Sequence, residues 1–212
     1  MPAVSSMTRP VLSVADGNTI NRAIEALIDG GVVVAPTETR YGMLVRADLA
    51  PSVDRLFDLK GRIATNPTAI FVAERRDIDN LGLITPAAER LIRELLPGPL
   101  TLVLEAKTDW VAPRVVNGKI GIRWSSSEFI RGLVVGVGSP LTATSANISG
   151  QPERATIAEI IADFQDAIDV YIDGGQLVGP VSTVVECVGG EVRILRVGAV
   201  CANRVNEIAR RA

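Results

Sequence analysis

Gly31-Val32-Val33-Val34-Ala35-Pro36-Thr37-Glu38-Thr39-Arg40-Tyr41-Gly42 changes character within one stretch. Its first half is a β-branched apolar run and predicts a buried strand. Its second half holds hydroxyls, a carboxylate, a cation, a phenol and a glycine. Ligands of open α/β sheets gather at strand ends, so this junction predicts a polar site where a buried strand stops. The same junction recurs where Pro140-Leu141-Thr142-Ala143-Thr144 runs into Ser145-Ala146-Asn147-Ile148-Ser149-Gly150. A third polar cluster, Lys60-Gly61-Arg62, ends an amphipathic stretch. Two cations, several hydroxyls, an amide and glycines at strand ends suit an anionic, phosphate-bearing ligand.

Working outward, helical spacing of Ile20, Ala23, Ile24 and Leu27 predicts a helix over 18–29, with Asn18 as N-cap and Gly30-Gly31 as its stop. Residues 51–59 predict a helix that delivers Lys60, and Thr85 caps another beginning at Pro86. Further helices are expected over 128–137, 156–164 and 203–211. Strands are expected over 68–73, 100–105, 119–124, 141–144 and 170–172. Residues 181–188 and 191–195, separated by Gly189-Gly190, read as a hairpin. Alternating strands and helices with one late hairpin predict a single α/β domain with a mixed parallel and antiparallel sheet. The domain is expected over 15–212, preceded by an N-terminal arm over 1–14.

The chain has 212 residues, 47% of them apolar and 22% charged, ordinary values for a globular protein with a substantial core. No run approaches a membrane span and the N-terminus lacks an apolar signal region, so a cytoplasmic protein without membrane contact is expected. Cys187 and Cys201 lack metal-ligand spacing and suggest reduced thiols. With 22 basic and 24 acidic residues, the surface as a whole is not built for indiscriminate nucleic-acid binding, although a local basic cleft is compatible with that balance. There is no histidine. That removes Ser-His-Asp and Cys-His catalysis and His-ligated zinc, leaving Lys, Arg, hydroxyls, carboxylates and a substrate-borne metal.

Each cluster taken singly has a local explanation. Thr37-Glu38-Thr39 and Ser145-Ala146-Asn147 are composed like turns, and Lys60 and Arg62 suit a solvated helix end. Their order and spacing carry more. Pro36 to Gly42, Lys60-x-Arg62, Asn66-Pro67, Pro97-Gly98-Pro99-Leu100-Thr101, Ser145-x-Asn147, Ser182-Thr183-Val184-Val185 and Leu195-Arg196-Val197-Gly198-Ala199 together resemble the YrdC-like threonylcarbamoyl-AMP synthase family, over roughly residues 18–209.

The resemblance implies an open, twisted sheet with flanking helices and a concave, positively charged face. It implies an enzyme that condenses L-threonine, bicarbonate and ATP into threonylcarbamoyl-adenylate and pyrophosphate, with Mg2+ carried in on the triphosphate. A separate tRNA threonylcarbamoyl transferase would consume the product. Some members carry an additional C-terminal domain, which a chain of this length is not expected to hold. Carried over by motif, Lys60 and Arg62 neutralise phosphates and are the catalytic candidates. Ser145, Asn147, Ser182 and Arg196 complete the ATP site, and Thr37, Thr39, Tyr41 and Arg123 bind the amino acid and carbamate.

The sequence departs from the family pattern at Ile63, where proline is common, and at Phe71, where many members have histidine. It departs again at Arg123-Trp124-Ser125-Ser126-Ser127, in place of Arg-x-Pro-x-His, and at Arg40, usually a small or apolar residue. One reading is neutral drift. Another is a pocket retuned by Arg40 and Trp124 for a different amino acid or carboxylate. A nucleotide-binding paralogue without catalysis and an RNA-binding module are the other expectations, the latter weakened by 4% aromatic residues.

Overall fold

The structure, a computed structural model, describes residues 11–61, 68–107 and 116–211. In chain order its strands are β1 (Val11–Ser13), β2 (Val33–Pro36), β3 (Tyr41–Leu44), β4 (Ala69–Val72), β5 (Leu100–Glu105), β6 (Lys119–Trp124), β7 (Leu141–Ser145), β8 (Val170–Asp173), β9 (Thr183–Val188) and β10 (Glu191–Arg196). Its helices are α1 (Thr19–Ile28), α2 (Ala50–Lys60), α3 (Arg75–Leu81), α4 (Pro86–Leu95), α5 (Glu128–Val137), α6 (Ile157–Phe164) and α7 (Ala202–Arg210). The strands form one mixed sheet in the order β1-β8-β2-β3-β7-β4-β6-β5-β9-β10. The pairs β1/β8, β2/β8, β4/β6 and β5/β9 are parallel, and the others antiparallel.

Several ends follow from local chemistry. Thr85 Oγ1 accepts from Ala88 N at 3.2 Å with Pro86 at the first helical position, a cap worth about 1 kcal/mol. Thr156 and Glu159 form a reciprocal capping box at the start of α6. Gly189 and Gly190 both have positive φ, +60° and +84°, as a two-residue hairpin loop requires. Asn18 does precede α1, but its side chain makes no cap bond; Thr19 Oγ1 instead donates to Ser13 O at 2.7 Å.

Strand periodicity places the core. In β5, Leu100, Leu102 and Leu104 point into a cluster with Leu91 and Ile92 of α4 and Val205 and Ile208 of α7. Ile120 and Ile122 of β6 and Val185 and Cys187 of β9 join them. A second cluster on β2 and β3 is built with α2 and α6, around Val34, Met43, Leu56 and Ile160. A third packs α1 and α5 against Val33, Leu44, Phe71 and Leu141. Here α5 approaches closely: a Cβ on Gly132 would lie 2.7 Å from Ile20 Cδ1, and one on Gly136 would lie 2.2 Å from Ile24 Cδ1. A side chain at either glycine would displace these isoleucines.

Two outcomes differ from expectation. Val11–Ser13, assigned to an N-terminal arm, pairs in parallel with β8 and adds an edge strand. Tyr41 to Leu44, read as the tail of a polar cluster, is a fully buried strand paired with β2 and β7. Among the described residues no helix is long and apolar enough to cross a membrane.

The chain has two tyrosines, and both phenols are held neutral. Burial raises Tyr171 to about 12, with the Asp166 charge adding to the effect. Burial also raises Tyr41, opposed by the Gly174 amide and reinforced by Asp173. Because the folded pKa values exceed the unfolded value of about 10, this stabilisation is complete below pH ~10 and is lost as pH rises through the folded values. Absorbance titration at 295 nm is therefore expected to show clearly less tyrosinate at pH 10 in folded protein than in the unfolded chain, where both tyrosines are about half-ionised. Half-ionisation near pH 10 without unfolding would contradict the burial. Cys187 is buried and its thiol is pushed up to about 11, whereas Cys201 is exposed. Iodoacetamide at pH 8 is expected to label Cys201 alone, read by peptide mass spectrometry.

Candidate active site

The face covered by α1 and α5 is left bare beyond Phe71 of β4, over β6, β5 and β9, and alternation places polar side chains there. Thr101 and Val103 of β5, Lys119, Gly121 and Arg123 of β6, and Val184 and Glu186 of β9 line a cleft of about 630 Å3. Its other walls come from strand ends: Thr37, Thr39, Arg40 and Tyr41 after β2, Ser145 at the end of β7, Ser182 before β9 and Arg196 at the end of β10. Four cationic side chains line it (Arg40, Lys119, Arg123 and Arg196) against two carboxylates, Glu153 and Glu186.

The strand-end loops are held by their own polar groups. Thr37 Oγ1 donates to Arg40 O at 2.6 Å and accepts from the amides of Thr39 and Arg40 at 3.1 and 3.2 Å. This closes the 37–40 turn. Tyr41 Oη donates to Gly175 O at 2.7 Å and accepts from Gly174 N at 2.9 Å, tying that turn to the end of β8. Arg40 reaches the same wall, donating Nη1 to Leu177 O at 2.8 Å, with its Nε 3.3 Å from Glu153.

Ser145 Oγ donates to Asn147 Oδ1 at 2.6 Å, and Asn147 Nδ2 donates to Gln151 O at 2.6 Å. Ser145 lines the cleft; Asn147 is buried behind it and stabilises the turn. Lys60 is 2% exposed and does not line the cleft. Its Nζ donates to the carbonyls of Ser145 and, at 2.7 Å, Asn147, bracing the loop from beneath. Its charge is thus brought to the Ser145 loop by these bonds to backbone carbonyls. Arg62 and Asn66-Pro67 lie outside the described residues.

Arg196 donates from Nε and Nη2 to Ser182 O at 3.1 and 2.9 Å, and from Nη2 to Ser182 Oγ at 3.0 Å. Ser182 Oγ is in turn 3.1 Å from Thr101 Oγ1. Partial burial lowers the Arg196 pKa, partly offset by Glu153; an arginine remains charged regardless. The backbone around it is tight: a Cβ on Gly198 would lie 2.1 Å from Val181 O, which explains the glycine in the Arg196-Val197-Gly198 landmark.

Arg123, 8% exposed, donates from Nη2 to Glu38 Oε1 at 2.8 Å and to Thr39 Oγ1 at 2.6 Å. Its guanidinium carbon lies 5.0 Å from the Phe71 ring centroid, within cation–π range. Phe71 thus supports an arginine at this wall. Trp124 does not face the cleft; it packs against the α4/α7 core on the opposite side of the sheet, which removes it from the expectation of a pocket retuned by Arg40 and Trp124. Arg40 does line the cleft.

Of the expected site residues, Thr37, Thr39, Tyr41, Arg123, Ser145, Ser182 and Arg196 converge on the one cleft, with Lys60 and Asn147 behind it. Sequence reading gave no role to Glu38, Thr101, Lys119, Glu153 or Glu186. Alternation along β5, β6 and β9 could have placed Thr101, Lys119 and Glu186 on the face opposite the leucines and isoleucines. Glu153 follows a turn and carries no such signal. Among the described residues no group of three or more His, Cys, Asp or Glu side chains could hold a metal ion.

Comparison with known proteins converges on the same family. Residues 25–198 match the Sua5_yciO_yrdC family model, described as telomere recombination. The chain is 31% identical to a threonylcarbamoyl-AMP synthase of Bacillus subtilis over 193 residues, covering 89% of this chain and 56% of that protein. It is 35% identical to the Pyrococcus abyssi threonylcarbamoyl-AMP synthase over 185 residues, covering 85% and 54% respectively. The chain therefore spans about half the length of these curated relatives. The crystal structure of P. abyssi Sua5 complexed with L-threonine superposes with a TM-score of 0.84 at 30% identity, over 93% of this chain and 59% of that one. With its open mixed sheet and strand-end cleft, the chain belongs to the Sua5/YciO/YrdC family.

Proposed function

We propose that the cleft makes threonylcarbamoyl-adenylate from L-threonine, bicarbonate and ATP. The observation that carries this reading is the convergence of Thr37, Thr39, Tyr41, Arg123, Ser145, Ser182 and Arg196 on one 630 Å3 cavity, in a chain whose relatives are threonylcarbamoyl-AMP synthases. L-threonine and bicarbonate give a carbamate with loss of water. A carbamate oxygen then attacks the α-phosphorus of ATP, forming the P–O bond of the mixed anhydride as the bond to the pyrophosphate oxygen breaks. Negative charge builds on phosphoryl oxygens, so positioning and cationic groups suffice and no protein nucleophile is needed.

In this reading Ser145, Ser182 and Arg196 contact phosphate or nucleotide. Lys60 holds the Ser145–Asn147 turn and adds positive charge beneath it, with Arg62 as a second phosphate cation. Arg123 receives the amino-acid carboxylate, and Thr37, Thr39 and Tyr41 form the wall around the carbamate. Mg2+ enters as part of the nucleotide substrate, through its phosphate oxygens. The labile product then passes to a tRNA threonylcarbamoyl transferase in the cytoplasm.

Purified protein incubated with ATP, Mg2+, bicarbonate and L-threonine is expected to yield threonylcarbamoyl-adenylate by mass spectrometry, above a protein-free control. Arg196→Ala is expected to lower the rate about 100-fold, the scale for removing one preorganised donor, and Lys60→Ala is expected to lower it by releasing the Ser145–Asn147 turn. ATP binding without product, across L-threonine and other amino acids, would overturn the reading. Salt-sensitive RNA binding indifferent to ATP would instead favour an RNA-binding module.

A further inference from the structure

Glu38 has no place in the activity as described, and it does not line the cleft. It nevertheless spends both carboxylate oxygens on the cleft wall. Oε1 accepts from Arg123 Nη2 at 2.8 Å and Nε at 3.3 Å, and Oε2 accepts from Ser125 Oγ. Ser125 is fully buried and is itself anchored, with its carbonyl accepting from Arg131 Nη1 at 2.8 Å and its hydroxyl from Ser127 N at 3.1 Å. The side chains of Arg123 and Glu38 are only 10% and 12% exposed.

An ion pair so nearly desolvated is a weak source of stability, because the cost of taking both charges out of water offsets most of the attraction. Its geometric effect is larger. A guanidinium alone on a strand face rotates about four side-chain torsions. Here Glu38 fixes one edge, Thr39 Oγ1 adds a second acceptor at 2.6 Å, and the Phe71 ring supports the plane at 5.0 Å. The arginine is left with one orientation against the cavity that it lines. With Nε and both Nη2 hydrogens donated to Glu38 and Thr39, the Nη1 hydrogens remain, in one fixed direction, for a carboxylate in the cleft.

We infer that Glu38 is a positioning residue, which sets the Arg123 guanidinium, through a carboxylate backed by Ser125, to select an amino acid by its α-carboxylate. This rests on the proposed function, since it deepens the role of Arg123 within that site. Selection for the carboxylate is separable from nucleotide binding, because Arg196 and Ser145 stand on other strand ends and share no hydrogen bond with Glu38.

The test is a comparison of L-threonine with L-threoninamide, measured by calorimetry in the presence of a non-hydrolysable ATP analogue, in the full chain and in Glu38→Ala and Glu38→Gln. The unsubstituted protein is expected to prefer the carboxylate at least tenfold. Glu38→Ala is expected to bring that ratio to within about twofold, raising Kd for threonine while leaving analogue affinity within twofold. Glu38→Gln keeps the shape and one acceptor, so it is expected to fold and retain part of the preference. It also covers the case in which Glu38→Ala fails to fold, since full retention of the preference in Glu38→Gln and in Ser125→Ala overturns the inference. Full retention in a folded Glu38→Ala, or equal losses of threonine and analogue binding, also overturns it. Absence of any carboxylate preference in the unsubstituted protein overturns the amino-acid reading itself, and the inference with it.

Discussion

One face of half a sheet has no helix on it, and most of the molecule follows from that. Strands β5, β6 and β9 bury Leu100, Leu102, Leu104, Ile120, Ile122, Val185 and Cys187 against α4 and α7. A pleated strand cannot bury one row without presenting the other. The other row holds Thr101, Lys119, Arg123 and Glu186, and a helix laid over it would bury charge for little apolar gain. Coverage therefore stops with α1 and α5, which the glycines at 132 and 136 draw tightly together over β2, β3 and β7. The cleft is the remainder of that face.

Strand ends close the cleft, and their polar residues serve two purposes. Thr37 closes a turn, Tyr41 ties the end of β8, Asn147 and Lys60 hold the loop after β7, and Arg196 holds Ser182. Each local reading of these motifs, as turn chemistry or as a helix end, is correct for the residue concerned. Together these bonds fix four separate loops around one volume, and preorganised donors cost no reorganisation when a ligand arrives. The convergence distinguishes a site from four ordinary turns, and no single cluster shows it.

That also marks what could be read from the chain. Lys119–Trp124 and Leu100–Glu105 have the predicted bounds because alternation is strong there; Glu128–Val137 has them too, although its two glycines and mostly apolar composition make a weak helical signal. Tyr41–Leu44 was hidden: its Gly42 has no side chain, and its polar lead-in suggested a loop. Helix α3 has an Arg-Arg-Asp start that dilutes its apolar face to Ile78 and Leu81. Val11–Ser13 is too short to show a period. Motif order assembled most of the site, but not the direction of a side chain. Lys60 turns to backbone carbonyls, Trp124 turns to the core, and Glu38 works through Arg123; none of these follows from residue type.

The electrostatics divide the cleft into unlike ends. Although the whole chain carries a formal charge of −2, cations outnumber carboxylates in the lining, and a concave site focuses that excess on an incoming anion. The excess is not spread evenly. Arg123 is matched by Glu38, Lys119 by Glu186 at 2.8 Å, and Arg40 by Glu153. The hydrogen bonds of Arg196 go to the neutral oxygens of Ser182. At about 4 Å and an effective dielectric near 20, one unit pair is worth about 4 kcal/mol; Arg196 feels Glu153, which is already paired with Arg40, but bonds no carboxylate directly, so its end attracts a polyanion more strongly than the Arg123 end. An arginine bonded to a carboxylate contributes direction, and one bonded only to neutral oxygens contributes charge. The proposed substrates, a zwitterionic amino acid and a triphosphate, would use that division of labour within one cavity.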